Sequence, residues 1–301
     1  MKSGYSKKKT SDTIFITFML AVPIISFIVF YLYINFNALL MAFHDGEQFT
    51  LKYFEMFFKE LAKWDMPRGL GEALRNTLAF FTLSECVMFP VSLFFSYFLY
   101  KKIYCYKYFR IVFFFPSIIS GVVLTTLFRY MLNGPITDIY VNWFGVDPAP
   151  LFFNSSTYAM GSIMAYQVWL GLAGNMVLYS GTMARIPNGI KDSAKIDGVG
   201  FWRELFQIVI PMIWPTLQTL LLMSVIGIFS ASGPVLLFTQ GDYGTMTISY
   251  WMYDKTVVQG AGSPVAMNYA AATGMVFTIL GLPIVFTVNW LLNKFDANIE
   301  Y

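Results

Sequence analysis

Six long apolar runs constrain the fold of this chain more than any other feature of its sequence. A transmembrane helix needs about 20 predominantly apolar residues, because the hydrocarbon core of a bilayer is about 30 Å thick. The six runs cover approximately residues 13–37, 76–100, 111–132, 158–183, 212–238 and 268–292. Only helices and closed barrels satisfy their backbone hydrogen bonds in lipid, and runs of this length indicate helices. We therefore predict an all-α, polytopic membrane protein with six transmembrane helices.

The composition supports a membrane protein and argues against other classes. Charged residues make up 12% of the chain and the mean hydropathy is +0.58, whereas an ordinary soluble domain carries about 25% charged residues. The chain has one histidine, His44, so an all-protein zinc site is not expected. The net charge of +3 is small and says little about partners; we expect no nucleic-acid partner.

The distribution of Lys and Arg predicts the orientation of the six helices, since cytoplasmic segments of membrane proteins carry an excess of both. If the N-terminus is cytoplasmic, the inside segments are residues 1–12, 101–110, 184–204 and the tail after Asn293. They hold 13 of the 20 Lys and Arg, whereas the longer outside segments hold six. Both termini are therefore predicted to be cytoplasmic, with the first apolar run as an uncleaved span.

A charged stretch, IKDSAKIDGVGFWRELFQIVIP at residues 190–211, lies on the predicted cytoplasmic side. Residues 190–196 can form two turns of helix that end at Gly198, because a left-handed backbone is easiest for glycine. The apolar and aromatic residues from 201 to 209 predict a helix that lies at the membrane surface. Pro211 and Pro215 are expected to separate this helix from the fifth span.

The same stretch resembles the cytoplasmic signature of inner-membrane subunits of ATP-binding-cassette (ABC) importers. That signature reads Glu-Ala-Ala, two residues, Asp-Gly-Ala, and then an apolar-aromatic run that ends in proline. The corresponding residues here are Asp192, Ser193, Ala194, Asp197, Gly198, Val199, Leu205, Ile208 and Pro211. The departures are conservative in charge and size, with Asp192 at the Glu position and Leu205 at the aromatic one.

The resemblance extends over about 220 residues, from Arg75 to the C-terminus. RNTLAF at residues 75–80 is similar to the start of the permease core in this family. FRIVFFFPSIISGVV followed by NGPI resembles the third span and the turn after it in the sugar-importing branch. TISYWMYDKTV and NYAAATGMVFTI are similar to the last span and the segment before it. The resemblance thus predicts a core at 75–301 with five transmembrane helices, preceded at 1–74 by a cytoplasmic tail, the first span and an outer loop, as in the maltose- and oligosaccharide-type permeases.

The resemblance implies the type I ABC importer permease fold and a role for the charged stretch. The helix at about residues 190–198 corresponds to the family's coupling helix, which docks in a groove on a separate ATPase subunit. The residues implied in ATPase coupling are Asp192, Ser193, Ala194, Asp197 and Gly198. The partners implied are a second homologous permease, two ATPase subunits and an extracytoplasmic sugar-binding protein, in the plasma membrane of a bacterium.

The sequence contains no G-x-x-x-x-G-K-[ST] phosphate loop, the motif that binds nucleotide phosphates in ATPases of this kind. We therefore expect a transporter subunit and not an enzyme, with no cofactor in this chain. ATP and Mg²⁺ would be bound by the partner ATPase subunits.

Aromatic and amide side chains predict where a substrate passes, because a sugar ring has apolar C–H faces and polar edges. Polar residues inside spans usually face the bundle interior, which favours Gln167 and Asn175. The candidate pathway residues are Gln167, Trp169, Asn175, Tyr179, Trp251, Asn268 and Tyr269. Together with the resemblance, they predict an ATP-driven importer of sugars, with an oligosaccharide as substrate.

Two other functions remain open at the level of sequence. Glycerol-phosphate import would call for basic residues along the pathway, and the predicted spans contain almost none. A secondary transporter tends to carry paired ionisable groups inside the membrane, whereas Glu85 stands almost alone there. Glu85 has three interpretations: an ion pair with Arg129, a protonated structural acid, or a pathway residue. The outer loop at residues 41–74 is either a cap on the bundle or a contact for the binding protein.

Overall fold

The structure, a computed structural model, describes residues 15–46, 48–145 and 149–294. Within these ranges the chain forms eleven helices and one two-stranded antiparallel hairpin. The helices are α1 (Phe15–Ala42), α2 (Lys52–Leu61), α3 (Leu70–Tyr100), α4 (Tyr106–Ile118), α5 (Gly121–Phe144), α6 (Ala159–Ala184), α7 (Asn188–Ile196), α8 (Phe201–Ile226), α9 (Val235–Phe238), α10 (Ile248–Tyr253) and α11 (Pro264–Lys294). The hairpin pairs β1 (His44–Asp45) with β2 (Gln48–Phe49). The all-α class is confirmed.

Four of the described helices are long and apolar enough to cross a membrane: α1, α3, α8 and α11. A fifth candidate is the pair α4 and α5, which bends by 107° at the break between the two helices. Helix α6 has 26 residues and is therefore about 39 Å long. It is less apolar than the others because Gln167, Asn175 and several glycines interrupt its hydrophobic residues.

The structure corrects two of the predicted spans. The run at 111–132 is not one helix, because Ile119 and Ser120 have extended backbone angles that end α4 and start α5. Pro116 lies one turn before that break. The run predicted at 212–238 is one continuous helix only to Ile226. Gly227, a short 3₁₀ turn at Ile228–Ser230 and the separate helix α9 follow.

The predicted separation of the helix at 201–209 from the fifth span is also wrong, since α8 runs without interruption from Phe201 to Ile226 and includes Pro211 and Pro215. A π-helical turn at Leu205–Val209 directly precedes Pro211, and the Ile210 N–H donates to the Leu205 carbonyl five residues back. A proline cannot donate a backbone hydrogen bond, and the wider turn accommodates this loss within a continuous helix. The same arrangement occurs in α3, where a π turn at Ser84–Met88 precedes Pro90.

The described chain divides into two compact units, residues 15–59 with 255–276 and residues 60–254 with 277–294. In the first unit, the hairpin and α2 are joined by hydrogen bonds to Asp45. Lys52 Nζ lies 2.9 Å from Asp45 Oδ2 and the Tyr53 hydroxyl 3.1 Å from Oδ1. These two donors hold the pKa of Asp45 below its usual value. Stacking of Phe43 on Phe49 completes the contact between α1 and the hairpin.

In the second unit, α3, α6 and α8 share a hydrophobic core. Its buried members are Leu93, Tyr97, Tyr179, Met183, Ile186, Leu205, Val209, Ile213 and Leu217. Burying one large apolar side chain contributes about 1.5–3 kcal/mol, so this core binds the three helices firmly together. Helix α7 follows α6 and precedes α8 in the chain, so both of its ends are joined to helices of this core.

Candidate functional site

Helix α7 ends in a Schellman motif at the glycine that the resemblance marks. The Val199 N–H donates to the Ala194 carbonyl (3.0 Å), and the Gly198 N–H to the Lys195 carbonyl (3.2 Å). This is the hydrogen-bond pattern that terminates a helix with a left-handed residue. Gly198 has φ +63°, and a Cβ at this position would meet no atom within 4 Å. The requirement for glycine is thus one of backbone conformation.

The five predicted coupling residues are brought together on this helix and its end. Asp192, Ser193, Asp197 and Gly198 are exposed, whereas Ala194 is 6% exposed and faces the protein. The exposed carboxylate of Asp192 is 3.3 Å from Lys195 Nζ, an i,i+3 pair on the outer face. The helix therefore has one face packed on the chain and one face open.

Contacts with α3 hold α7 and the start of α8 in position. Lys191 Nζ lies 5.1 Å from the centre of the Tyr100 ring. Lys101, which follows α3, forms an ion pair of 2.5 Å with Glu204 of α8. Glu204 keeps only 13% of its side chain exposed, so solvent screens this pair less than a surface pair.

An aromatic cluster lies beside that ion pair, with Lys101 Nζ 5.9 Å from the centre of the Tyr97 ring. Trp202 stacks on Phe94 with ring centres 5.4 Å apart, and Phe201 packs on Tyr97 at 4.8 Å. The Tyr97 hydroxyl donates to the Phe201 carbonyl (3.3 Å). The first turn of α8 is therefore fixed against the last turns of α3.

Ile196 is a residue that the sequence-based prediction did not include. Its side chain is 85% exposed, the largest exposure of any apolar residue in α7. Ala194 faces inward, and two residues correspond to about 200° around a helix. Helical periodicity therefore predicts that Ile196 faces outward, on the open side of α7.

Four of the predicted pathway residues lie on α6. Tyr179 is 1% exposed and packs its ring edge against Phe89, 5.6 Å away. Trp169 is 39% exposed and stacks on Phe128 of α5. Gln167 and Asn175 are half-buried. Gln167 and Tyr179 are twelve residues apart, which is about 18 Å along the helix, so the four side chains do not converge on one small pocket.

The other three predicted pathway residues are engaged in packing or hydrogen bonds. Trp251 of α10, in the second unit, is 1% exposed. In the first unit, the Asn268 amide donates to the His44 carbonyl (2.7 Å) and lies 3.4 Å from the Tyr53 hydroxyl. Tyr269 is 6% exposed. Whether any of the seven contacts a substrate stays a prediction.

Glu85 and Arg129 do not pair with each other. The Ser224 hydroxyl donates to Glu85 Oε1, and Oε2 is buried with no hydrogen-bond partner within the described residues. Arg129 donates to the carbonyls of Leu237, at 2.8 Å, and Phe238. A cation is favourable there because the C-terminal carbonyls of a helix carry partial negative charge. The first interpretation of Glu85 is therefore wrong.

Known proteins are similar to this chain in both sequence and structure. The lactose transport system permease protein LacF of Rhizobium radiobacter is 28% identical over 244 residues, which are 78% of this chain and 80% of LacF. A bacterial ABC transporter involved in the import of the acidic polysaccharide alginate has a crystal structure that covers 96% of this chain and 99% of its own, with a TM-score of 0.79 at 23% identity. The crystal structure of that type of transporter in complex with an alginate pentasaccharide-bound periplasmic protein gives a TM-score of 0.78.

The structural likeness confirms the predicted type I ABC importer permease fold, and the several apolar helices agree with a multi-pass membrane protein. A family model described as "binding-protein-dependent transport system inner membrane component" matches residues 88–301. That match covers most of the chain, from the middle of α3 through α7 to the C-terminus. The chain therefore belongs to the family of inner-membrane components of binding-protein-dependent transport systems.

Proposed function

We propose that the chain is the permease subunit of an ATP-driven importer of sugars, with an oligosaccharide as its substrate. It would form half of a translocation pathway together with a second, homologous permease. An extracytoplasmic binding protein would deliver the sugar, and two separate ATPase subunits would bind ATP and Mg²⁺. The chain itself would catalyse no reaction.

The observation that carries this proposal is the geometry of α7. A helix that transmits force to membrane spans must be short, stiff and attached at both ends. Helix α7 has nine residues, ends in a Schellman motif at Gly198, and has its inner face buried at Ala194. Its outer face combines charged side chains with the exposed Ile196, which is a suitable composition for docking in a groove on an ATPase.

The proposed substrate rests on two kinds of support. The relatives named above handle lactose and alginate by their printed descriptions. In addition, α6 carries aromatic and amide side chains at Gln167, Trp169 and Asn175, without a charged residue between them. A neutral lining suits a neutral sugar better than glycerol-phosphate, whose phosphate would call for cations.

The proposed topology puts both termini and α7 in the cytoplasm of a bacterium. It rests on the excess of Lys and Arg in the segments on that side. With this topology, the side of the membrane that holds ATP is also the side on which α7 is exposed.

Crosslinking tests the coupling role directly. Ser193→Cys, in a background without the two native cysteines, gives a single thiol on the exposed face of α7. We expect this thiol to crosslink to an ATPase subunit in membranes that contain the full complex. Ser156→Cys, an exposed position outside α7, is the control and should give no such product. Equal crosslinking at both positions, or at neither, would refute the proposed docking.

Uptake assays test the substrate. Cells that express the complete importer are given a panel of labelled glycans of one to five units, with glycerol-phosphate as the alternative substrate. We expect uptake of an oligosaccharide and none of glycerol-phosphate. Uptake of glycerol-phosphate alone would contradict the sugar assignment and leave the coupling role intact.

A further inference from the structure

A basic cleft of about 570 Å³ opens in the second unit between the end of α3, the start of α4, α6 and α7. Five cations line it: Lys101, Lys102, Arg110, Lys191 and Lys195. The only carboxylate among the lining residues is Glu204. The cleft therefore carries a strong excess of positive charge, and it adjoins the outer face of α7, with which it shares Lys195.

Three of the five cations have no acidic partner within the described residues, and two of these three, Lys102 and Arg110, are the ones considered for an anion. Lys101 pairs with Glu204, and Lys195 pairs with Asp192. Lys191 lies over the ring of Tyr100. No ion pair joins Lys102 or Arg110 to a carboxylate within the described part of the chain. Their charge is available to an anion that enters the cleft.

An apolar cleft of about 320 Å³ adjoins the basic one and extends along α4 and α6 as far as Phe114 and Met176. The two clefts share Leu99, Arg110, Ser180 and Ala184. The apolar part is lined by Phe113, Phe114, Met176 and Val177, together with Gly181. The combined cavity is thus polar and cationic at one end and apolar at the other.

Tyr100 and Tyr106 line the basic end. Tyrosine is enriched at membrane–water interfaces, where its ring and its hydroxyl meet different surroundings. In the proposed topology, this end lies at the level of the lipid headgroups of the cytoplasmic leaflet. Basic pockets between transmembrane helices at that level suit anionic headgroups.

We propose that this cavity binds an anionic phospholipid of the cytoplasmic leaflet. Lys102 and Arg110 bind the phosphate, and an acyl chain lies in the apolar cleft beside Gly181. The lipid would contact α3, α4, α6 and α7 at once. The occupant follows from charge complementarity at one end and continuity with an apolar groove at the other, and neither a soluble anion nor a peptide matches both ends. The assignment to the cytoplasmic leaflet rests on the proposed topology.

The cationic end is tested with the full chain, purified in detergent and incubated with equal amounts of phosphatidylglycerol and phosphatidylcholine with identical acyl chains. Retained lipid is measured by native mass spectrometry. We expect the wild type to retain phosphatidylglycerol preferentially and Lys102→Gln/Arg110→Gln to lower that preference by about 25-fold, since each of the two cations near a headgroup contributes about a factor of five. The control Lys107→Gln/Arg185→Gln removes the same charge from positions outside the cleft and should change the preference less than twofold. An equal fall in both double variants, or none in the first, would overturn the proposal.

The apolar end is tested with glycine variants of α6. A Cβ at Gly181 would meet no atom within 4 Å, and the same holds for Gly161 outside the cleft. Gly181→Leu places a branched side chain in the groove from a position where its Cβ meets no atom within 4 Å, and we expect about fivefold lower retention of phosphatidylglycerol, with no change for Gly161→Leu. If both variants retain lipid like the wild type, no acyl chain occupies the groove and the lipid assignment fails.

One property of the assay and one further measurement separate this proposal from the proposed function. Retention in detergent does not depend on membrane orientation, so a wrong topology leaves these results unchanged. The same measurement on the assembled importer should still show the preference for phosphatidylglycerol. Its loss on assembly would indicate that a partner helix covers the cavity, and would overturn the proposal while leaving the transport function standing.

Discussion

Replacing Ile196 by Ala measures how much the open face of α7 contributes to docking. The substitution removes three carbon atoms, and each buried methylene is worth about 0.8 kcal/mol, which gives about 2.4 kcal/mol. Only the part that is exposed in the free chain can become buried on docking, and that fraction is 85%. The expected loss is therefore about 2 kcal/mol, or about a 30-fold weaker association with the ATPase subunit.

The fold of α7 should survive this change. Alanine has a higher helix propensity than isoleucine, and Ile196 contributes little to the core because most of its side chain is exposed. The assay is a titration of the ATPase subunit onto the assembled permease pair in lipid nanodiscs, followed by biolayer interferometry. Ile103→Ala is the control, because Ile103 is also exposed and lies in a neighbouring loop on the same predicted side. An affinity for Ile196→Ala within twofold of the wild type would refute the reasoning that this side chain is buried on docking.

Three more predictions concern the same region. Gly198→Asn should keep a higher ratio of uptake to ATP hydrolysis than Gly198→Val, because asparagine tolerates positive φ and a β-branched residue does not. Equal ratios in the two variants would show that backbone conformation is not the reason why this position needs glycine. Glu204→Gln should lower the free energy of unfolding of the purified chain by about 1–2 kcal/mol, between the values for exposed and buried ion pairs. Lys101→Met/Glu204→Met should recover part of that loss, and a double variant less stable than Glu204→Gln would contradict this prediction. Cys105 is exposed, so in a Cys86→Ser background a membrane-impermeant maleimide should label it in inside-out vesicles and not in intact cells; the reverse pattern would invert the topology.

Much of the fold could be predicted from the sequence because apolar length is a direct consequence of bilayer thickness. The bounds predicted at 158–183 agree with those of α6 to one residue at each end, although α6 is less apolar than the helices that qualify as spans. Charge and glycine at 190–198 likewise predicted a short helix, and α7 ends where Gly198 adopts φ +63°. In both cases the structure depends on a property of neighbouring residues, namely the length of an apolar run or a glycine at a helix end.

The errors have a common cause, since mean hydropathy carries no information about backbone angles. The residues around Ile119 and Ser120 are apolar enough for a span, and yet two extended residues divide it into α4 and α5. Conversely, Pro211 predicted a break in the helix, but α8 continues through it because a π turn at Leu205–Val209 accommodates the missing hydrogen bond. Ion pairs between distant segments, such as Lys101 with Glu204, are also invisible locally, because 103 residues separate the partners.

The ion pair between Lys101 and Glu204 has a mechanical consequence. Helix α7 is joined by the chain to α6 on one side and to α8 on the other, and this pair adds α3 to the same assembly. If the ATPase docks on the open face of α7 as proposed, its movement would shift α3, α6 and α8 as one body. We would then expect the structure to bend at the break between α4 and α5 or at the π turns beside Pro90 and Pro211.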